Sequence, residues 1–172
     1  MAAHLEGKGC GVLDMAGLAQ KGGAVTSHLR VARHPDDIKS TRIPAGEADL
    51  LIGGDVLVSG GHETLGILKK NATRAVVNTH QSMTGEFARK ADFTLPWNSL
   101  EQSIIEKTGR DHVDFINASR LATALMGDSL ATNLFLVGYA FQKGWLPVSS
   151  VALERAIELN GAAVEMNKQA FL

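Results

Sequence analysis

Cysteine is nearly missing from this 172-residue chain. Cys10 stands alone, so no intrachain disulfide can form, and no Cys-x-x-Cys pair exists to hold zinc or an iron–sulfur cluster. A chain with no disulfide framework fits a reducing compartment, and a cytoplasmic location is the expectation. Long apolar runs are also lacking: none nears the ~20 residues that span a bilayer. Met1-Ala2-Ala3-His4 has neither the basic nor the apolar region of a signal peptide. Charge of one sign is lacking too, with 17 basic residues, 18 acidic residues and a formal net charge of -1. The basic residues are scattered, which argues against a nucleic-acid groove or a polybasic membrane patch.

Catalytic signatures are equally scarce. His4, His28, His34, His62, His80 and His112 contain no pair at the i, i+4 spacing of a helical metal site. There is no P-loop and no G-x-S-x-G elbow. The residues therefore give no catalytic centre and no metal site.

What is present is a core of ordinary size. About 45% of residues are apolar, and the length suits one domain spanning 1–172. The centre of interest runs from Cys10 to Ala32. An apolar run, Gly11 to Leu13, ends on Asp14, and a second run, Val25 to Ala32, follows a turn containing Gly17, Gln20, Lys21, Gly22 and Gly23. Two strands flank a basic, glycine-containing loop. Gly22 and Gly23 could turn backbone N–H groups toward an anion and Lys21 could add charge, or the glycines could simply serve the turn. Cys10, in an apolar run, reads as a small buried hydrophobe.

The chain then alternates strand and helix. Residues 1–9 read as the end of a helix closed by Gly7 and Gly9. Arg33 to Glu47, with Pro35 and Pro44, reads as a surface connection. Ala48 to Gly53 is a short strand, and Val56 to Ser59 either extends it or starts a crossover. Glu63 to Lys70 is a helix with Leu65 and Leu68 inward and Lys69 and Lys70 in its last turn. Thr73 to Thr79 is a buried strand, and 81–97 is irregular with a short edge strand at Phe93 to Leu95. Asn98 to Lys107 is a helix and His112 to Ala118 the last strand. From there the pattern is helical: Ser119 caps 120–126, Gly127 stops it, and Asp128 or Ser129 caps an apolar helix broken at Leu146-Pro147. Ser150 caps 151–159, and Ala162 to Phe171 closes the chain. The resulting fold class is α/β, a mainly parallel, Rossmann-like sheet flanked by helices with a helical C-terminal section.

Several polar residues carry two readings. Gly53-Gly54-Asp55 and Asn78-Thr79-His80 end buried strands, where α/β proteins place ligands and also where turns and helix caps lie. A stand-alone small-molecule-binding or regulatory protein would use them as its pocket. His28 is a sheet histidine or a reactive one. Arg30 holds a structural carboxylate such as Asp14 or reaches a ligand. Asn133, set in an apolar helix, calls for a definite hydrogen-bond partner.

The segments VLDMAGLAQKGGAVTSHLRVA (12–32), TRIPAGEADLLIGGD (41–55), RAVVNTH (74–80), TGEFAR (84–89) and 128–171 occur in an order that touches nearly every element. In this the chain resembles the gamma domain of the 2-oxoacid:ferredoxin oxidoreductases, in particular the version near the C-terminal end of the fused indolepyruvate ferredoxin oxidoreductases. Relative to that family it lacks the first strand and its glycine-rich loop. The resemblance implies a part of an enzyme that converts a 2-oxoacid, coenzyme A and oxidised ferredoxin to acyl-CoA, carbon dioxide and reduced ferredoxin. It implies thiamine diphosphate and iron–sulfur clusters in partner domains, thiamine-binding and ferredoxin-like, and an oligomeric assembly. It also implies that Gln20, Lys21, Gly22, Gly23, Ser27, His28, Arg30 and Asn133 contribute to the coenzyme A side. The chain itself is expected to bind no cofactor alone.

Overall fold

The computed structural model describes residues 1–16, 24–81 and 97–172. Their contacts divide the chain into two compact units. One comprises Met1–Leu13, His28–Pro44 and Asn117–Leu172; the other comprises Asp14–Ser27 and Ala45–Ile116. Strands β1 (Gly9–Ala16) and β2 (Val25–Ala32) pair as a two-stranded sheet that supplies residues to both units.

The second unit is the α/β part. Strands β3 (Leu50–Gly53), β4 (Arg74–Asn78) and β5 (Val113–Ile116) are parallel and lie in the order β3-β4-β5. The register sets Leu51 beside Ala75 and Val77 beside Phe115. Ala75, Val76 and Val77 are wholly buried, which is why the central strand is a continuous apolar run and does not alternate. Helices α2 (Val56–Ser59), α3 (His62–Ile67) and α4 (Trp97–Thr108) accompany this sheet, with a 3-10 turn at Arg110–His112. Val56, Ala75, Val77, Ile104 and Val113 form one core, with Trp97, Leu100 and Ile105 packed on it. Trp97, Leu100, Ile104 and Thr108 recur at helical spacing, and Gly109, at φ 89°, ends the helix.

The first unit carries the helical section: α1 (Ala2–Leu5), α5 (Ala118–Met126), α6 (Thr132–Gln142), α7 (Ser150–Asn160) and α8 (Val164–Phe171). Ala122, Ala131 and Ala170 form its small-residue core, lined by Met126, Leu134, Phe135 and Met166. Helices α6 and α8 approach at Gly138, where a Cβ would stand 2.2 Å from the Phe171 carbonyl oxygen. Phe141 and Phe171 rings meet beside this crossing with centroids 5.4 Å apart. A polar clasp joins the chain start to α7: the Glu6 carboxylate accepts from Lys8 Nζ at 2.7 Å and from the Ser149 N–H at 2.8 Å.

The α/β class, parallel sheet and helical C-terminal section stand as expected. Val56 to Ser59 is helical, so it starts the crossover. The expected edge strand at Phe93 to Leu95 lies outside the described residues.

Other expectations are corrected. Cys10 is exposed, because strand alternation turns Gly9 and Gly11 inward and Cys10 outward. Helix α3 ends at Ile67, before Lys69 and Lys70. Thr73 takes over there, accepting from the Lys69 N–H at 2.7 Å and donating to the Ala48 carbonyl at 2.6 Å. His112 and Ala118 fall outside β5, in a 3-10 turn and in α5 respectively. The caps of α5 and α7 sit one or two residues earlier than expected, on Asn117 and Ser149, whose side chains accept from Arg120 and Ala152 N–H groups. Serine and asparagine compete for such sites through the same short-range bond, and the incoming chain direction decides between neighbours.

Candidate functional site

Sequence reasoning gathers its site around β1, the basic loop and β2. Gln20, Lys21, Gly22 and Gly23 lie outside the described residues. In the second unit, Ser27 is exposed and donates from Oγ to Asp14 Oδ1 at 2.6 Å. The two residues brace the paired strands. Asp14, the carboxylate considered for Arg30, thus has Ser27 as a donor.

In the first unit, His28 is 5% exposed and its Nδ1 accepts from the Ile43 N–H at 2.9 Å. A backbone N–H can only donate, so Nδ1 carries a lone pair and the ring proton sits on Nε2. This is the geometry of a satisfied sheet histidine. Arg30, two residues along the same strand, is half-buried. Asn133 is exposed on α6, so burial does not impose a protein partner on it, contrary to the sequence expectation. Water can meet its amide, and the apolar positions of the helix lie on its other faces.

The alternative pocket, at the strand ends of the second unit, is tied up internally. Asp55 Oδ1 accepts from the Val58 N–H at 2.7 Å and caps α2. Asn78, buried at the end of β4, donates from Nδ2 to the Gly54 carbonyl at 3.0 Å and accepts from the His80 N–H at 3.2 Å. The Thr79 N–H bonds the Ile116 carbonyl at 2.8 Å, continuing the ladder to β5. Asn78 thus fastens the tips of β3 and β4 together, and Asp55 starts the helix that follows β3. Their hydrogen-bonding capacity serves the fold, which weakens the case for a ligand pocket there.

Among the described residues, the shifted carboxyl groups belong to ion pairs. In the first unit, Lys8 and then Ser149 hold the Glu6 carboxyl down at about 2, and Lys168 followed by Arg155 lowers that of Glu158. Both are structural ion pairs at helix ends. Among the described residues no group of three His, Cys, Asp or Glu side chains could hold a metal ion. No helix among them is long and apolar enough to cross a membrane. The Glu6 clasp and the Thr73 junction escaped the sequence reading. Glu6 and Ser149 lie 143 positions apart, and no local pattern announces such a pair.

Comparisons with known proteins bear on the whole chain. The model of the family described as pyruvate ferredoxin/flavodoxin oxidoreductase matches residues 1–172. The indolepyruvate oxidoreductase subunit IorB of Archaeoglobus fulgidus is 29% identical over 157 residues, covering 90% of this chain and 73% of that protein. Among solved structures, the pyruvate oxidoreductase subunit PORC of Thermotoga maritima superposes with a TM-score of 0.61 at 17% identity. The gamma subunit of a keto/oxoacid ferredoxin oxidoreductase from Geobacter sulfurreducens gives 0.61 at 18% identity. Each match covers 99% of this chain and 80% of the other. At those identities the two structures speak for the fold.

Proposed function

The chain belongs to the pyruvate ferredoxin/flavodoxin oxidoreductase family, and from that premise we propose that it is the gamma-type domain or subunit of a 2-oxoacid:ferredoxin oxidoreductase. The observation that carries the proposal is the extent of the family match, which leaves no part of the chain over for an unrelated activity. The relative named for indolepyruvate supports an arylpyruvate as the 2-oxoacid. The reaction is oxidative decarboxylation of the 2-oxoacid, with the acyl group passing to coenzyme A and electrons to ferredoxin. Thiamine diphosphate, held in a partner domain, would supply the carbanion chemistry.

The role of this chain is then to complete an assembly. Of the residues considered for the coenzyme A side, Ser27 and His28 have hydrogen bonds within the protein. No chemical step is assigned to them. An assembly role draws support from apolar side chains left in water: Leu121 and Leu125 follow one another by a helical turn on α5, and Leu130 is exposed just beyond it. Exposed apolar faces of this kind mark contact with other chains.

The test is purification of the tagged chain, without air, from the cells that make it. A thiamine-diphosphate-containing partner, or a heavier fused polypeptide, should come with it, and the preparation should reduce a viologen dye only when indolepyruvate and coenzyme A are both present. Recovery of this chain alone and inert would overturn the proposal. Activity with pyruvate in place of indolepyruvate would overturn the substrate assignment.

A further inference from the structure

Residues 34–43 form a strap laid over the inward face of β1. A Cβ on Gly9 would stand 2.5 Å from the His34 carbonyl oxygen and 2.7 Å from Pro35 Cα. One on Gly11 would stand 3.0 Å from Thr41 Cγ2 and 3.1 Å from Ile38 Cγ2. The two glycines thus provide a seat without side chains. The near end of the strap is held by its own turn at Pro35–Asp37, where Asp37 Oδ2 accepts from the His34 N–H at 3.2 Å. The far end is held to β2 by the bond from the Ile43 N–H to His28 Nδ1.

We propose that His28 is a proton-operated latch for this strap. Taking a proton on Nδ1 makes both ring nitrogens donors, so the Ile43 N–H loses its acceptor and two like dipoles face each other. The imidazolium would also be a charge on a side chain only 5% exposed, and neither β1, β2 nor the strap carries a buried carboxylate. Asp14 on β1 and Asp36 and Asp37 on the strap are all exposed. The remaining charged and titratable groups of these elements are the exposed Cys10, Arg33, His34, Lys39 and Arg42 and the half-buried Arg30. A buried charge without such a partner is costly, and lifting the strap lets water relieve it. Opening therefore starts at Ile43 and uncovers Gly11, while the Asp37 turn keeps the near end folded.

Amide exchange and imidazole nitrogen spectra of the whole chain, followed from about pH 8 to pH 5, test the latch. The expected result is that Ile43 protection, corrected for the intrinsic rate, falls about tenfold or more as His28 Nδ1 gains its proton, with Val76 in β4 unchanged. His28→Gln should abolish the step, and Gly11→Ala should lower Ile43 protection already at the alkaline end. Undiminished Ile43 protection while Nδ1 protonates would overturn the latch, as would joint loss of protection at Ile43 and Val76. An Nδ1 that stays unprotonated across the range would also overturn it. If His28→Gln does not fold, the titration of the natural chain decides alone.

Discussion

The two units treat apolar surface differently. In the second, the parallel sheet wraps its large side chains: Val76 and Val77 reach no water, and Val56 and Ile104 seal the face above. Every exposed large apolar side chain among the described residues except Val25 belongs to the first unit. There Leu121, Leu125, Leu130, Val151 and Leu159 are exposed on helices or turns, while one core cluster is centred on Ala122, Ala131 and Ala170 and the larger Leu136, Ile157 and Phe171 are buried. A sheet with crossover helices buries its own strands by construction. Helices that meet through small residues bring their backbones close, as α6 and α8 do at Gly138. The exposed leucines of the first unit are the surface on which the proposed assembly role rests.

The sharpest way to break this comparison is through the close helix crossing. Gly138→Ala puts a methyl group against the Phe171 backbone, which no side-chain rotation relieves, and should cost about 3 kcal/mol. Gly66→Ala, in α3 of the second unit, meets nothing within 4 Å and should gain up to about 1 kcal/mol. Each unit holds one of the two tryptophans, Trp145 and Trp97 respectively. Urea unfolding of single-tryptophan variants separates the two effects, and equal shifts at both reporters would show that the units unfold as one.

Acid should act next, and on the first unit. Because the folded Glu6 carboxyl is held at about 2 against an ordinary value of 4.5, its contribution is complete above that ordinary value and fades as pH falls toward about 2. Glu158, lowered by Lys168 and Arg155, has the same sign. The Trp145 unfolding midpoint should therefore drop through this window, and Glu6→Gln should flatten the drop while lowering stability at neutral pH. An unchanged acid profile in Glu6→Gln would remove the clasp from the account.

The smallest effect on folding is expected at Leu125, 64% exposed. Leu125→Gln should change stability by no more than about 0.5 kcal/mol while reducing recovery of partner chains with the tagged protein. A loss of stability well beyond that would mean that the leucine already packs within the chain, and the contrast between the units would narrow.

Much of the fold was legible because its signals are local. The run at 75–77 declared a strand buried on both faces, and Gly127 and Gly161 marked helix ends where positive φ is required, as found at 76° and 72°. Which way the alternation turns Cys10 depends on which face the strap covers, and that in turn on Gly9 meeting His34 and Pro35 and Gly11 meeting Ile38 and Thr41. Asn133 misled for the same reason: an apolar helix sequence does not say which of its faces stays in water.

The sequence by itself determined the α/β class, the order of elements and the family, because periodicity, turn residues and ordered motifs are carried by neighbours along the chain. Tertiary structure alone decided that Asn78 ties the end of β4 to Gly54, that Glu6 clasps Ser149, and that His28 holds Ile43. Each is a hydrogen bond whose partner is chosen by how distant segments pack, and a buried polar group takes whichever partner that packing brings within reach.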